Sequence, residues 1–327
     1  MIYDRLTTKK RQLDGHRPLD IELVRNLDDW FRIELTYTSN ALEGNTLSRK
    51  ETVLVVEKGL TVGGKTLKEH LEATNHAHAL DHIRALLNRN INTITQEDIL
   101  SIHSTILSGI DDENAGYYRR VPVRISGSTV VIPNPLKLPD KMRDFVTWIQ
   151  EMQGIHPVQF AAQAHYDLVT IHPFIDGNGR TARLLMNLIL MMQGYPPAII
   201  RKNERLIYIS ALEKAQLGGS SEDYFKLIAK CVDRSLDIYL NAIEGAPGPS
   251  EPTDDFLLKI GELATAVGET VPTIRHWTKE GLLQVAQTTP SGYQLYSPDM
   301  KKRCEEIKNF KEQRLTLAEI KNLFPEV

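Results

Sequence analysis

His172-Pro173-Phe174-Ile175-Asp176-Gly177-Asn178-Gly179-Arg180-Thr181-Ala182-Arg183 is the stretch against which the rest of this chain is read. It holds an imidazole, a carboxylate, an amide between two glycines, and two guanidinium groups. Pro173 disfavours helix at the residue before it, which predicts a helix end at an extended His172. The glycines around Asn178 permit a tight turn whose backbone N–H groups converge into a nest for anions. A helix is expected just after it, adding partial positive charge and unpaired N–H donors at the same point. Arg180 and Arg183 lie three apart, so both face that point from the first turn. Guanidinium groups suit multidentate phosphate binding. Asp176 offers a hard oxygen ligand for Mg²⁺. His172, whose ordinary pKa lies near neutrality, is the candidate general base. Together these groups suit holding a nucleoside triphosphate and moving part of it onto a hydroxyl, mainly by positioning and charge stabilisation. A helix start with incidental polar residues is the plain alternative, and the co-occurrence of all six features argues against it.

The 327 residues leave room for two or three domains. A hydrophobic share of 41%, a charged share of 25% and a net charge of -3 are ordinary for a globular protein and give no global sign of nucleic-acid or membrane binding. The two cysteines, Cys231 and Cys304, are far apart, so a reducing, cytoplasmic setting is expected and a disulfide framework is not. The first residues lack the apolar stretch of a secretory signal. The most apolar run, Leu184 to Met192, is too short to span a bilayer and reads as a buried helix, so no membrane partner is expected.

Up to about Glu244 the pattern is helical. Leu19 to Thr38 carries Ile21, Val24, Leu27, Trp30, Phe31 and Leu35 at helical spacing, and Leu67 to Leu87 repeats the pattern. Thr95 is placed to cap a helix running to Ser108. Further helices are predicted at Met142 to Met152, Pro157 to Ile171, Arg180 to Met192, Glu204 to Leu217 and Glu222 to Ile243. Tyr117 to Pro135 breaks the pattern. Its β-branched residues around Ser126-Gly127-Ser128 predict a β-hairpin placed to act as a flap. Residues 245–255, rich in Pro and Gly, read as a linker, and 256–327 as a separate unit. The segment Gly59 to Thr66 matches the P-loop pattern, but the chain has too few strand-like runs for the parallel sheet a P-loop requires. It is read as a turn between helices.

His172 to Arg183 resembles, at every fixed position, the signature of the Fic family, His-x-Phe-x-(Asp/Glu)-Gly-Asn-Gly-Arg-x-x-Arg. Similarity extends over about residues 30 to 240. The resemblance implies transfer of AMP from ATP to a Tyr, Thr or Ser hydroxyl of a target protein or of the enzyme itself. It implies His172 as base, Asp176 as Mg²⁺ ligand, Gly177, Asn178 and Gly179 as the nest, and Arg180 and Arg183 as ligands of the β- and γ-phosphates. The hairpin would be the family's flap, with Val130, Val131 and Ile132 over the nucleotide and able to hold a target segment by strand addition. Tyr208 and Gln216 would line the adenosine side, with ordinary helix packing an equal alternative for both. Ser39 to Asn45 resembles the family's inhibitory motif, (Ser/Thr)-x-x-x-Glu-(Gly/Asn). That resemblance implies that Glu43, on a helix end near Gly44, pairs with Arg183 and denies it to the γ-phosphate. In some members the equivalent glutamate also serves removal of AMP, by orienting a water.

From Phe256 on, Ile260 to Ala264, the Val267-Gly268 turn, Thr273 to Leu283 and Gly292 to Tyr296 resemble, in order, the helix-turn-helix and wing of MerR-type regulators. The resemblance implies Arg275 and Lys279 as DNA contacts on a recognition helix, and binding as a homodimer on two half-sites. Two positions depart from that pattern: His276 stands where Tyr is usual, and Gln294 where the wing usually has Arg. From Glu251 on there are ten Lys and Arg against twelve Asp and Glu, so the segment is not basic. A protein-interaction module with the same fold is the alternative. The fold class predicted is mostly α: a Fic-type helical bundle in which residues 1–95 carry the inhibitory motif and 96–244 the catalytic core, a β-hairpin flap, and a C-terminal winged helix-turn-helix. The second functional reading is a DNA-binding regulator whose Fic core only senses nucleotide. A third is transfer of phosphate or UMP.

Overall fold

The computed structural model of the chain describes residues 2–125, 127–151, 154–245, 257–288, 293–297, 299–312 and 315–323. Contacts divide the chain into two compact units, 1–248 and 249–327. The predicted linker lies, beyond Gly245, outside the described residues, as do Ser126, Met152, Gly292 and Pro298.

The first unit is a bundle of helices: α1 Ile2–Gly15, α2 Ile21–Leu42, α3 Arg49–Lys58, α4 Leu67–Ala85, α5 Gln96–Leu107, α6 Leu138–Glu151, α7 Pro157–Ile171, α8 Asn178–Met192, α9 Arg205–Gln216 and α10 Glu222–Ile243. At its centre is α8, which packs on α7, α5, α4 and α2. Leu184, Leu185, Met186, Leu188, Ile189 and Leu190 are all buried. A helix apolar on every side has to lie inside, and this one does. Thr95 caps α5 as predicted, in a capping box with Asp98. The P-loop-like segment is a helix connection: Gly59 ends α3 in the left-handed region and Thr66 caps α4. One hydrophobic core runs from Leu6 through Ile83 and Ile102 to Leu236, so the regions 1–95 and 96–244 share a single interior.

Two helices were not anticipated. α1 is mostly polar, with Leu6 and Leu13 its buried residues. It is held on α10 by Arg5 and Lys9, both paired with Asp233. α3 has a short, weakly amphipathic sequence that reads as an isolated apolar run.

The predicted hairpin needs correcting. No strand forms between residues 117 and 135 among the described residues. The turn is present, with Ser128 N–H donating to Ile125 O at 3.2 Å and Gly127 at φ 76°. The donors a ladder needs are used elsewhere. Val130 N–H goes to Ser128 Oγ and Thr129 N–H to Glu213. Pro122 and Pro133 have no N–H to give. The flap is an extended loop held by side chains.

In the second unit, β1 Leu258–Lys259, β2 Gln287–Thr288 and β3 Gln294–Tyr296 form an antiparallel sheet in the order β1-β3-β2. With α11 Ile260–Val267, α12 Val271–Lys279, α13 Asp299–Glu312 and α14 Leu317–Leu323 it makes a winged helix-turn-helix. Trp277, Ile274, Leu263, Tyr296 and Ile307 fill its core. No described helix in either unit is long and apolar enough to cross a membrane.

If α1 belongs to the core, Leu6→Ala should lower the stability of the first unit by about 2–5 kcal/mol, the usual cost of such a truncation. Urea unfolding followed by circular dichroism checks this; a change under about 0.5 kcal/mol would mark α1 as an appendage.

Candidate active site

α7 ends where Pro173 predicts, but His172 is not extended. It caps the helix at φ 49°, ψ 59°, and is the only non-glycine with positive φ among the described residues. Left-handed geometry costs a β-carbon residue about 1–2 kcal/mol, so its surroundings must hold it. Its N–H donates to Leu168 O at 2.9 Å, and its carbonyl accepts from Arg119 Nε at 2.8 Å. Nδ1 lies 3.3 Å from Val169 O. A carbonyl only accepts, so Nδ1 carries the proton and Nε2 is left with a lone pair, the form a general base requires. Burial above all holds the His172 pKa below its ordinary value, and the Arg119 charge acts the same way. Contact with the Val169 carbonyl and the charges of Glu43 and Asp176 oppose this.

The loop to α8 is braced from inside. The Asn178 side chain accepts from Phe174 N–H at 3.0 Å and donates to Phe174 O at 2.9 Å. Phe174 is fully buried and stacks on His103 with ring centres 3.6 Å apart. His103 Nδ1 accepts from Gly116 N–H at 3.0 Å, so Nε2 donates to Asp176 O, also at 3.0 Å. Gly177 sits at φ 76°, and a β-carbon there would lie 3.2 Å from the His103 ring. Glycine is needed at Gly177 for both reasons.

The charged groups meet at the start of α8. Arg180 is 2% exposed. Its Nη1 is 3.2 Å from Glu72 Oε1 and its Nη2 3.5 Å from Asp176 Oδ2. Nε and Nη1 nevertheless lack a hydrogen-bond partner, and buried donors of that kind call for an anion. The Asp176 side chain is about half exposed, with Oδ1 accepting from Gly177 N–H at 2.6 Å. Arg183, also buried, donates from Nε to Ser39 Oγ at 3.0 Å and from Nη2 to Ser39 O at 3.0 Å and Glu43 Oε1 at 2.6 Å. A β-carbon on Gly179 would fall 2.3 Å from that same Glu43 oxygen. The carboxylate of Glu43 therefore lies directly over the nest.

Other expected residues are more dispersed. Val130 and Ile132 are half-buried and Val131 is exposed. The flap tip is tied to α9 by Ser128 Oγ donating to Glu213 at 2.6 Å. Tyr208 is buried, its hydroxyl is 2.8 Å from His165 Nε2, and its side chain also hydrogen-bonds Arg183. Gln216 is half-buried and donates to Thr170 Oγ1 at 3.0 Å. In the second unit, Arg275 and Lys279 are both exposed on α12 while Ile274 and Trp277 point inward.

Residues 93–190 match the model of the Fic/DOC family. A fragment of Fic-1 from C. elegans is 32% identical, with a TM-score of 0.66 over 74% of this chain and 71% of that one. The chain belongs to the Fic family. A Fic-domain signaling protein from Bacteroides thetaiotaomicron is 28% identical, with a TM-score of 0.66 over 77% of this chain and all of its own. Among curated relatives, "Protein adenylyltransferase Fic" of Culex quinquefasciatus is 38% identical over 82% of this chain and 52% of its own length. The protein of that name from Nematostella vectensis is 41% identical over 62% of this chain and 48% of its own. The chain thus spans about half the length of the curated relatives it matches. Residues 258–327 match the model of the MerR HTH family regulatory protein.

Three functional neighbours escape sequence reasoning in this Fic chain: Arg119, His103 and Glu72. Each lies far in sequence from what it touches, and none sits in a distinctive local pattern. His103 has one weak signal, an imidazole on the apolar face of α5.

Burial pushes His76, His103 and His165 down to about 3, 4 and 3. Their folded pKa values lie below the unfolded value of about 6.5. The unfolded chain therefore binds more protons between about pH 4 and 6.5, and stability falls as pH falls through that window. The urea midpoint should drop between pH 7 and pH 5, each imidazole adding at most about 1.4 kcal/mol per pH unit. A flat midpoint over that range would contradict the neutral, buried assignment.

Proposed function

We propose that the chain is a protein adenylyltransferase restrained by its own Glu43. It would transfer AMP from ATP to a Tyr, Thr or Ser hydroxyl of a target protein or of itself. The observation that carries this reading is the pairing of a free His172 Nε2 with an anion nest flanked by Arg180 and Arg183. The curated relatives' printed name supports the same chemistry. In the reaction, the acceptor oxygen attacks the α-phosphorus of ATP while His172 Nε2 takes its proton. The new bond joins that oxygen to phosphorus; the bond from the α-phosphorus to the bridging oxygen breaks, and pyrophosphate leaves. The nest amides and the Arg180 donors hold the departing phosphates, as preorganised charge does in such transfers. Asp176 would hold Mg²⁺, which when bound neutralises phosphate charge; a single accessible carboxylate fits that ion. Gln216 stands for the adenosine side and Val130 to Ile132 for its cover.

Glu43 opposes this. Its carboxylate lies against Gly179 and pairs with Arg183, so a triphosphate would have to displace it or bind without that guanidinium. A charge-assisted hydrogen bond is worth about 1.5–3 kcal/mol. Glu43→Gly should therefore raise AMP transfer about 10- to 100-fold. His172→Ala in that background should lower it at least about 100-fold, the usual share of a general base. Incubation with ATP and Mg²⁺, alone and with lysate, followed by mass spectrometry for added AMP, reads both. Labelling unchanged by Glu43→Gly would remove the restraint from the account.

The second reading, DNA binding through the C-terminal unit, is favoured by Arg275 and Lys279 standing exposed together on α12. It requires a dimer. A gel shift at low and high salt should detect binding that weakens with salt and is lost in Arg275→Ala/Lys279→Ala. No shift at low salt would leave the unit as a protein-interaction module.

A further inference from the structure

Arg119 is 3% exposed, and no carboxylate lies within ion-pair distance of it among the described residues. A buried charge without a counter-ion must be stabilised by dipoles. All three guanidinium nitrogens donate to backbone carbonyls: Nε to His172 O at 2.8 Å, Nη1 to Val121 O at 3.2 Å, Nη2 to Pro133 O at 2.6 Å. Its own N–H donates to Pro173 O at 2.9 Å. Val121 and Pro133 are the two roots of the flap, whose arms share no backbone hydrogen bond beyond the turn among the described residues. His172 is the residue in the costly left-handed conformation.

We propose that Arg119 is a positioning residue that locks the flap roots and the His172 backbone into one rigid unit, so that the imidazole is aimed only when the flap is seated. The inference rests on the adenylyltransferase reading for its kinetic consequence, but not for its structural one. In a loop without a ladder, Arg119 is the side chain that joins the two ends among the described residues. A strained residue followed by proline has few ways to be held, and Arg119 grips the carbonyls of both His172 and Pro173. The fork is what counts: lysine carries the charge but not three fixed donors in one plane.

The test uses the full chain in the Glu43→Gly background, with Arg119→Met, which keeps the apolar stem, and Arg119→Lys. Kinetics with ATP should show kcat lowered about 10- to 100-fold for Met, the scale of a catalytic group misplaced by about 1 Å. KM for ATP should change by less than about threefold, since the nest is untouched. Lysine should recover part of kcat. Independently of turnover, the ring-proton NMR signal of His172 should titrate at higher pH in Arg119→Met. The charges facing the ring in this background are Arg119 and Asp176, and removing the cation favours protonation. If the Glu43→Gly parent makes no AMP adduct at all, the adenylyltransferase reading fails while the NMR comparison still decides the coupling. If Arg119→Met does not fold, Arg119→Lys carries the test through its kcat at constant KM. Parental kcat together with a parental His172 titration overturns the proposal.

Discussion

A guanidinium buried in a protein needs fixed partners for its charge, an anion or a set of dipoles, and Arg183 is the one on which this site turns. Its side chain is 6% exposed, and the carboxylate that meets it is Glu43, at 2.6 Å. The Glu43 side chain is 39% exposed, so the pair is buried on the arginine side only and water screens part of the attraction. The pair joins the C-cap of α2 to the second turn of α8, and so ties the N-terminal region to the helix that follows the His172 loop. A β-carbon on Gly179 would collide with the Glu43 carboxylate at 2.3 Å. On the proposed reading, a phosphate in that place would satisfy Arg183 as Glu43 does, and Glu43 and a triphosphate would compete for one cation. Competition of this kind is reciprocal: whatever strengthens the Glu43 contact weakens the nucleotide by the same free energy.

The part of the site carried by local sequence was legible. Twelve consecutive residues specify a loop whose conformation depends on its own glycines and on Asn178, whose side chain folds back on Phe174. Glu43 was legible for the same reason, as a carboxylate at a helix end marked by Gly44, which adopts φ 100°. Most helices were legible from apolar spacing. What was lost is non-local. α1 has two buried leucines, and its position depends on Asp233 of α10, over two hundred residues away. His172 was misjudged because the proline rule speaks of average backbone energy. Here tertiary contacts from Arg119 and the end of α7 outweigh that preference.

The C-terminal unit shows the limits of composition. Its charge balance is unfavourable for DNA, yet the arrangement of α12 sets two cations outward. Gln294, standing where the wing usually carries Arg, accepts from the Tyr296 hydroxyl at 3.1 Å, and that hydroxyl lies 2.9 Å from Thr278 of α12. Gln294 thus supports the Tyr296 hydroxyl, and it is Tyr296 that ties the wing to α12. A phosphate contact has been exchanged for an internal hydrogen bond, which suits either a weak DNA binder or a unit that keeps the fold for another partner.

The flap makes the sharper case for reading side chains before secondary structure. Alternating β-branched residues around a glycine turn are a sound hairpin signal, and the turn did form. The ladder did not, because the amides that would build it are held by Ser128 and Glu213 and two positions are proline. A paired hairpin would satisfy its own backbone and present a closed edge. An unpaired one leaves Val131, 93% exposed, outside any ladder among the described residues. With Thr129 and Val130 N–H already taken, only the rest of such a backbone could accept an added strand. On the proposed reading, the acceptor segment of a target would supply the pairing that the flap's own arms decline, and the hydroxyl would be delivered next to His172 by main-chain contacts that ignore sequence. A catalyst built this way selects its target by access and shape more than by the identity of the residues flanking the acceptor.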